Sequence, residues 1–245
     1  MYGEVESRIR RDIERHGTIC FGLIDPENNP PEIASGLAAK IEEYGVKGIL
    51  VGGSTAADQF EIDKVVRAIK SRVEIPVILF PGNASGVVPS ADAVLFISLL
   101  NSEDPYFITG AQALGSLLVN KYGIEAIPVG DLVVGEGGAI GFVGKVRPIP
   151  LYKPELAVMY SLAAWYMGMR FVYLEAGSGV ASHVPPEFVR KVRASYKGVL
   201  MVGGGIRDGG TAKELAKAGA DIIVVGTLIE KDVEKVREVV KEAMG

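Results

Sequence analysis

Tyr173-Leu-Glu-Ala-Gly-Ser-Gly179 places an aromatic hydroxyl and a carboxylate at the end of an apolar run, then follows them with two glycines. The residues leading into it, Arg170-Phe-Val-Tyr-Leu174, alternate poorly and read as a strand buried on both faces, the kind found in parallel sheets. A carboxylate there is not sheet packing, so this strand is expected to end in a site. Two further runs have the same form: Val199-Leu-Met-Val-Gly-Gly-Gly205 and Asp221-Ile-Ile-Val-Val-Gly-Thr227. Three successive strands thus end in backbone suited to an anion, because glycine lets consecutive N–H groups converge where a Cβ would obstruct them.

Along the rest of the chain, apolar strand-like runs alternate with helical patterns, the signature of a parallel sheet built from βα units. Eight strands are predicted at roughly 18–24, 47–51, 75–80, 92–97, 124–131, 170–175, 198–202 and 221–226, with helices over 31–44, 55–71, 104–122, 153–168, 185–195, 209–219 and 229–243. Between strands three and four, the segment from Pro81 to Ala91 is too rich in breakers for a helix and only just long enough to return to a parallel neighbour. The expected fold is therefore α/β: a closed (β/α)8 TIM barrel over residues 1–245 as a single domain, with the helix after strand three missing or replaced by a short irregular segment. In such barrels the working groups sit at the C-terminal strand ends, and a phosphate site commonly forms from the loops after strands seven and eight. Gly203 to Gly205 and Gly226 with Thr227 fall there. Any one of these glycines serves equally well in a tight turn; two clusters at the two expected strand ends favour phosphate. An open dinucleotide-binding sheet fits less well, since no glycine fingerprint follows the first strand.

Composition agrees with one barrel: 245 residues with 48% hydrophobic content can bury a large core. No apolar run is long enough to span a bilayer, and Met1 to Arg15 is charged rather than signal-like. The expectation is a soluble, cytoplasmic protein with no transmembrane segment and at most transient membrane contact for product release. The single cysteine, Cys20, lies in an apolar run, which suits a reduced compartment and not a catalytic thiol. A formal net charge of −4 without a basic block argues against nucleic acid as a partner, while leaving room for a local basic pocket.

A second kind of chemistry is expected on the other side of the barrel mouth. The first strand ends in Leu23-Ile-Asp-Pro-Glu-Asn28 and the second in Val51-Gly-Gly-Ser-Thr55, which puts Asp25 and Ser54 on adjacent strand ends. Hard oxygen groups of this sort suit Mg²⁺, which takes one or two protein ligands and fills its other positions with water and substrate phosphate. Singly, Asp25 reads as a turn former before Pro26 and Ser54 as a helix N-cap; their joint placement favours the metal. His16 and His183 have no spacing suited to zinc.

Taken in order, Leu23-Ile-Asp-Pro, Val51-Gly-Gly-Ser-Thr, Phe80-Pro-Gly-Asn, Asn101-Ser, Tyr173-Leu-Glu-Ala-Gly-Ser-Gly, Val202-Gly-Gly-Gly-Ile-Arg and Val225-Gly-Thr resemble the geranylgeranylglyceryl phosphate synthases. These are archaeal prenyltransferases with bacterial relatives that make heptaprenylglyceryl phosphate. The Tyr-Leu-Glu-Ala-Gly-Ser-Gly and Phe-Pro-Gly-Asn runs are the specific pieces; Val-Gly-Gly-Gly-Ile is shared with many phosphate-binding barrels. The resemblance implies transfer of a geranylgeranyl group from its diphosphate to the C3 hydroxyl of sn-glycerol 1-phosphate, the first ether bond of archaeal membrane lipids. By motif it also implies Mg²⁺ on Asp25 and Ser54. For glycerol phosphate it implies Tyr173, Leu174, Glu175, Ala176, Gly177, Ser178, Gly179, Gly204, Gly205, Gly226 and Thr227. Family members often carry a basic residue just after the Asp-Pro step, where this chain has Asn28.

The chemistry of that transfer assigns roles to residues. An allylic diphosphate leaves when its charge is stabilised, a task for Mg²⁺. The weakly acidic hydroxyl attacks better if a base takes its proton, and Glu175 is the best-placed carboxylate, with Tyr173 on the same side of the strand to orient the acceptor. A salt bridge closing the barrel mouth is the plainer use of Glu175, made less attractive by the glycine turns beside it. The absent third helix leaves room for a prenyl chain, lined by Phe80, Val87, Val88, Phe96, Tyr106 and Phe107. Tyr106 and Phe107, opening the next helix, would limit chain length; ordinary helix packing explains either ring about as well. Trp165 to Met169 and Phe142 put bulky apolar groups on the barrel exterior, and with the resemblance they predict a homo-oligomer. Two other classes stay open: a sugar-phosphate isomerase or lyase sharing the glycine grip, and a non-catalytic lipid or phosphate carrier.

Overall fold

The computed structural model describes residues 2–53 and 58–245. Eight parallel strands close in sequence order into a barrel: β1 (Ile19–Ile24), β2 (Gly48–Val51), β3 (Val77–Leu79), β4 (Ala93–Leu99), β5 (Glu125–Val133), β6 (Phe171–Glu175), β7 (Val199–Gly203) and β8 (Ile222–Val225). Closure is direct, with Phe21 of β1 opposite both Gly48 of β2 and Val224 of β8. Because side chains alternate along a strand, the barrel has two cores. Phe21, Leu50, Leu95, Phe171, Tyr173 and Met201 fill the lumen. Cys20, Val172, Leu174, Leu200 and Val202 face the surrounding helices.

Those helices are α2 (Pro31–Glu43), α3 (Gln59–Lys70), α4 (Ala111–Tyr122), α6 (Pro154–Tyr166), α7 (Pro186–Ser195), α8 (Gly209–Lys217) and α10 (Val233–Met244). The expected gap is present: between β3 and β4 there is only one 3₁₀ turn, Ala84–Gly86, capped by Asn83, whose Oδ1 accepts from the Ser85 N–H at 2.9 Å. Val87 and Val88 follow it and are buried. Gln59 of α3 donates from Nε2 to the Val87 carbonyl at 2.7 Å, so the short crossover is tied down where a helix would have covered the sheet.

Three elements lie outside the predicted set. Helix α1 (Glu4–His16) closes the N-terminal end of the barrel, with Val5, Ile9 and Ile13 packed on the lumen core. Its first turn is held by Glu125 from the start of β5, which accepts from the Val5 N–H at 2.7 Å and the Glu6 N–H at 2.9 Å. Short helices α5 (Gly138–Val143) and α9 (Thr227–Lys231) interrupt the loops after β5 and β8. The predicted helix over 104–122 begins as a π-helical turn, Tyr106–Gly110, before α4 takes over. Its widened backbone leaves carbonyls to side chains: Phe107 accepts from Gln112 Nε2 at 3.1 Å and Ile108 from Ser98 Oγ at 2.7 Å.

Candidate active site

At the C-terminal end of the barrel a cavity of about 390 Å³ joins the strand ends to the gap left by the missing helix. Glu175, the last residue of β6, lies in its wall and is 7% exposed. Oε1 accepts from the Gly177 N–H at 2.7 Å, so the strand's own turn fixes the carboxylate. Burial raises its pKa; the Tyr173 hydroxyl and the Gly177 N–H act in the opposite sense. Tyr173 stands two residues back on the same lumen face, its hydroxyl over the bare Cα of Gly203 and its ring edge-on to Phe80 at 5.9 Å. Burial, and then the Glu175 charge, hold that hydroxyl neutral, well above its usual pKa.

The glycine turns meet around this pair. Gly177 has φ +107° and Gly204 φ +84°, a region that L side chains rarely adopt. A Cβ on Gly177 would stand 2.5 Å from the Gly137 carbonyl carbon, and one on Gly204 would stand 2.8 Å from the Gly177 nitrogen. The loops after β5, β6 and β7 are thus stacked backbone against backbone. Across the mouth, Ser178 Oγ and Thr227 Oγ1 are 3.4 Å apart, which brings the β6 and β8 loops together. Gly177, Ser178, Gly179, Gly204, Gly205, Gly226 and Thr227 all line the cavity. Leu174 and Ala176 do not; the alternation of the strand turns them into the helix-side core.

Asp25 faces the same cavity from β1, half-buried, and its Oδ1 accepts from the Glu27 N–H at 3.0 Å. Burial raises its pKa, and the charges of Glu27 and Glu230 add to that; the Glu27 N–H opposes. Among the described residues no Lys or Arg forms an ion pair with it. A carboxylate with acidic neighbours and no Lys or Arg partner among the described residues has the chemistry to take a cation. No cluster of three or more His, Cys, Asp or Glu occurs among the described residues. Ser54 lies outside the described residues. Asn28 leans on the acid Glu230 at 3.4 Å, and the cations lining this mouth among the described residues are instead Arg207, which ends the Val202-Gly-Gly-Gly-Ile-Arg motif, and Lys231 and Lys235, which no motif pointed to.

The apolar arm of the cavity runs past Phe80, Val87, Phe96, Phe107 and Ala111 to Gly115. Val88 and Tyr106, both expected in that lining, are not in the wall. Val88 is sealed in the helix-side core. Tyr106 stacks edge-on behind Phe107, with ring centres 5.1 Å apart. Phe107 is therefore the ring of the pair that lines the trough. We expect Phe107→Ala to raise use of a thirty-five-carbon over a twenty-carbon prenyl donor about tenfold, the worth of roughly two buried methylenes, with a smaller change for Tyr106→Ala. Competition between the two donors measures it, and an unchanged ratio in Phe107→Ala would put the chain stop elsewhere. Cys20 takes no part, since burial pushes its thiol up to about 12.

A sequence model of the PcrB family matches residues 11–244. A geranylgeranylglyceryl phosphate synthase of Cenarchaeum symbiosum (strain A) is 54% identical over 228 residues, covering 93% of this chain and 92% of that protein. One of Pyrococcus abyssi is 50% identical over 242 residues, covering 98% and 96%. The crystal structure of (S)-3-O-geranylgeranylglyceryl phosphate synthase from Thermoplasma acidophilum, in complex with its substrate sn-glycerol-1-phosphate, superposes with a TM-score of 0.94 at 39% identity, over 100% of this chain and 99% of that one. The tryptophan synthase alpha chain of Legionella pneumophila, at 14% identity and a TM-score of 0.66, shares the barrel alone.

Proposed function

The chain belongs to the PcrB family, and from that premise we propose that it is a prenyltransferase moving a geranylgeranyl group from its diphosphate to the C3 hydroxyl of sn-glycerol 1-phosphate, with release of diphosphate. One observation carries the reading: a buried carboxylate, Glu175, stands where a glycine-lined anion rim and an apolar trough share one cavity. An acceptor phosphate is gripped by the N–H groups of Gly179, Gly204 and Gly205, with the hydroxyls of Ser178 and Thr227 beside them, while the Gly177 N–H stays on Glu175. That grip brings the acceptor hydroxyl to Glu175, which takes its proton as the carbon–oxygen bond forms. Tyr173, neutral, orients the same hydroxyl. The prenyl tail lies past Phe80 and Phe96 towards Phe107, and closure around it keeps water from the allylic carbon. Asp25 would hold Mg²⁺, which when bound supplies charge neutralisation to the departing diphosphate. Lys231 and Lys235 add positive charge at the mouth that Asn28 does not provide.

Product mass analysis after incubation with sn-glycerol 1-phosphate, Mg²⁺ and a ladder of prenyl diphosphates tests this. A geranylgeranyl ether with diphosphate released is expected. A heptaprenyl ether instead would keep the chemistry and change the donor. Glycerol phosphate bound without turnover on any donor would make the protein a carrier. The apolar trough opposes the sugar-phosphate isomerase reading, since such a substrate has no use for it.

Among the described residues no helix is long and apolar enough to cross a membrane. A cytoplasmic location is part of the proposal, supported by the single, buried Cys20. So is a homo-oligomer. Phe142 is 89% and Tyr166 80% exposed, and Met159, Trp165 and Met167 are exposed beside Tyr166 on α6 and just past its end, too much apolar surface for a wet exterior. Light scattering at micromolar concentration should report a dimer or larger; monomer alone would count against a subunit contact here.

A further inference from the structure

Among the described residues two buried side-chain oxygens lack a hydrogen-bond partner, Gln112 Oε1 and Asp131 Oδ1, and both residues belong to the wall of the cavity just described. Asp131 is the more telling. It is 2% exposed and sits on β5 directly beside Tyr173 of β6, one inward-facing step below the Val133–Glu175 pair. An ionised carboxylate there would be costly; burial, and then the Glu175 charge, push its pKa well above its ordinary value, with the Leu132 N–H opposing, which favours the protonated acid with an O–H to donate. Apart from Tyr173 and Glu175, the lumen is Phe, Leu, Ile, Val, Met and Ala, any of which would pack without that cost. Its polarity therefore calls for a use at this position.

The acceptor has one. With its phosphate on the glycine rim and its primary hydroxyl at Glu175, sn-glycerol 1-phosphate still carries a secondary hydroxyl on the adjacent carbon, which loses water on entering the cavity and needs a new partner. Two residues of strand separate Glu175 from the Tyr173–Asp131 level, about 6.6 Å of rise, a span that a three-carbon acceptor and its hydroxyls can bridge. We infer that Asp131 is a specificity-determining residue, hydrogen-bonding the acceptor's secondary hydroxyl at the floor of the site. The inference rests on the transferase reading above.

The test compares sn-glycerol 1-phosphate with 3-hydroxypropyl phosphate, the same acceptor without the secondary hydroxyl. The wild-type chain is expected to prefer the natural acceptor in kcat/KM by roughly 10- to 100-fold, because a site built to pair with a hydroxyl rejects an analogue lacking it. Asp131→Ala and Asp131→Leu should lose that preference to within about threefold of parity while still using the deoxy acceptor; Leu keeps the volume, so that one apolar replacement folds. Asp131→Asn, which still donates, should keep most of it. A merely structural role would slow both acceptors alike and leave the ratio unmoved, and that result in either apolar variant overturns the inference. Wild-type failure with both acceptors is a separate outcome: it removes the transferase reading itself.

Discussion

Replacement of Glu175 by Gln is expected to lower turnover by on the order of 10² to 10⁴, the range for losing a general base, and to leave prenyl diphosphate binding nearly unchanged. The size follows from the surroundings. Glu175 is buried, its second hydrogen-bonding group is a Tyr173 hydroxyl held neutral, and Asp131, the other carboxylate at that depth, is pushed towards its protonated form by burial and by Glu175 itself. The amide keeps the volume and can still accept from the Gly177 N–H, so the turn that positions the glycine rim survives. Burial also sets the pH dependence. Because desolvation raises the Glu175 pKa, kcat/KM should climb with pH through a value above the ordinary carboxylate range, and the residual activity of Glu175→Gln should lack that limb. Near wild-type turnover of Glu175→Gln, measured by diphosphate release, would remove Glu175 from the mechanism.

The barrel was legible because its strands announce themselves one by one: most are short apolar runs ended by Gly, Asp or Glu, and the breaker-rich Pro81 to Ala91 marks the missing helix. Glu175 was legible for the same reason, as a carboxylate just past an apolar run. Asp131 satisfies the same rule, yet it was read as the end of its strand. β5 continues to Val133, and those two residues put Asp131 one inward step deeper, in the lumen. Helix α1 was obscured by charge, although Val5, Ile9 and Ile13 recur every fourth residue and form the stripe that plugs the barrel. What no local pattern carries is its cap, since Glu125 is more than a hundred residues away. Tyr106 and Phe107 could not be separated by sequence: an α-helical start and a π turn aim adjacent rings differently, and only the second puts Phe107 in the trough with Tyr106 behind it. Lys231 and Lys235 reach the mouth from α9 and α10, helices whose charges look like any solvated surface.

Asp25→Ala is expected to cut turnover by roughly 10²- to 10³-fold and to weaken Mg²⁺-dependent donor binding, the scale of several kcal/mol of charge stabilisation lost from a departing diphosphate. Stability should hardly change. The turn after β1 is built on the backbone of Asp25, whose carbonyl accepts from the Asn28 and Asn29 N–H groups at 3.2 and 3.0 Å and from Asn29 Nδ2 at 2.9 Å. Among the described residues the side chain accepts one hydrogen bond, from the Glu27 N–H, worth about 1 kcal/mol. Against that small loss, removing a carboxylate crowded by Glu27 and Glu230 relieves repulsion, so the melting temperature is not where the cost appears. Asp25→Asn separates the two uses of the residue: it keeps an acceptor for the Glu27 N–H but loses the charge, and it should resemble Asp25→Ala in donor binding and the wild type in melting. If both variants keep the metal dependence of the wild type while Asp25→Ala melts markedly earlier, Asp25 is a turn residue and the cation is held by other groups at the mouth.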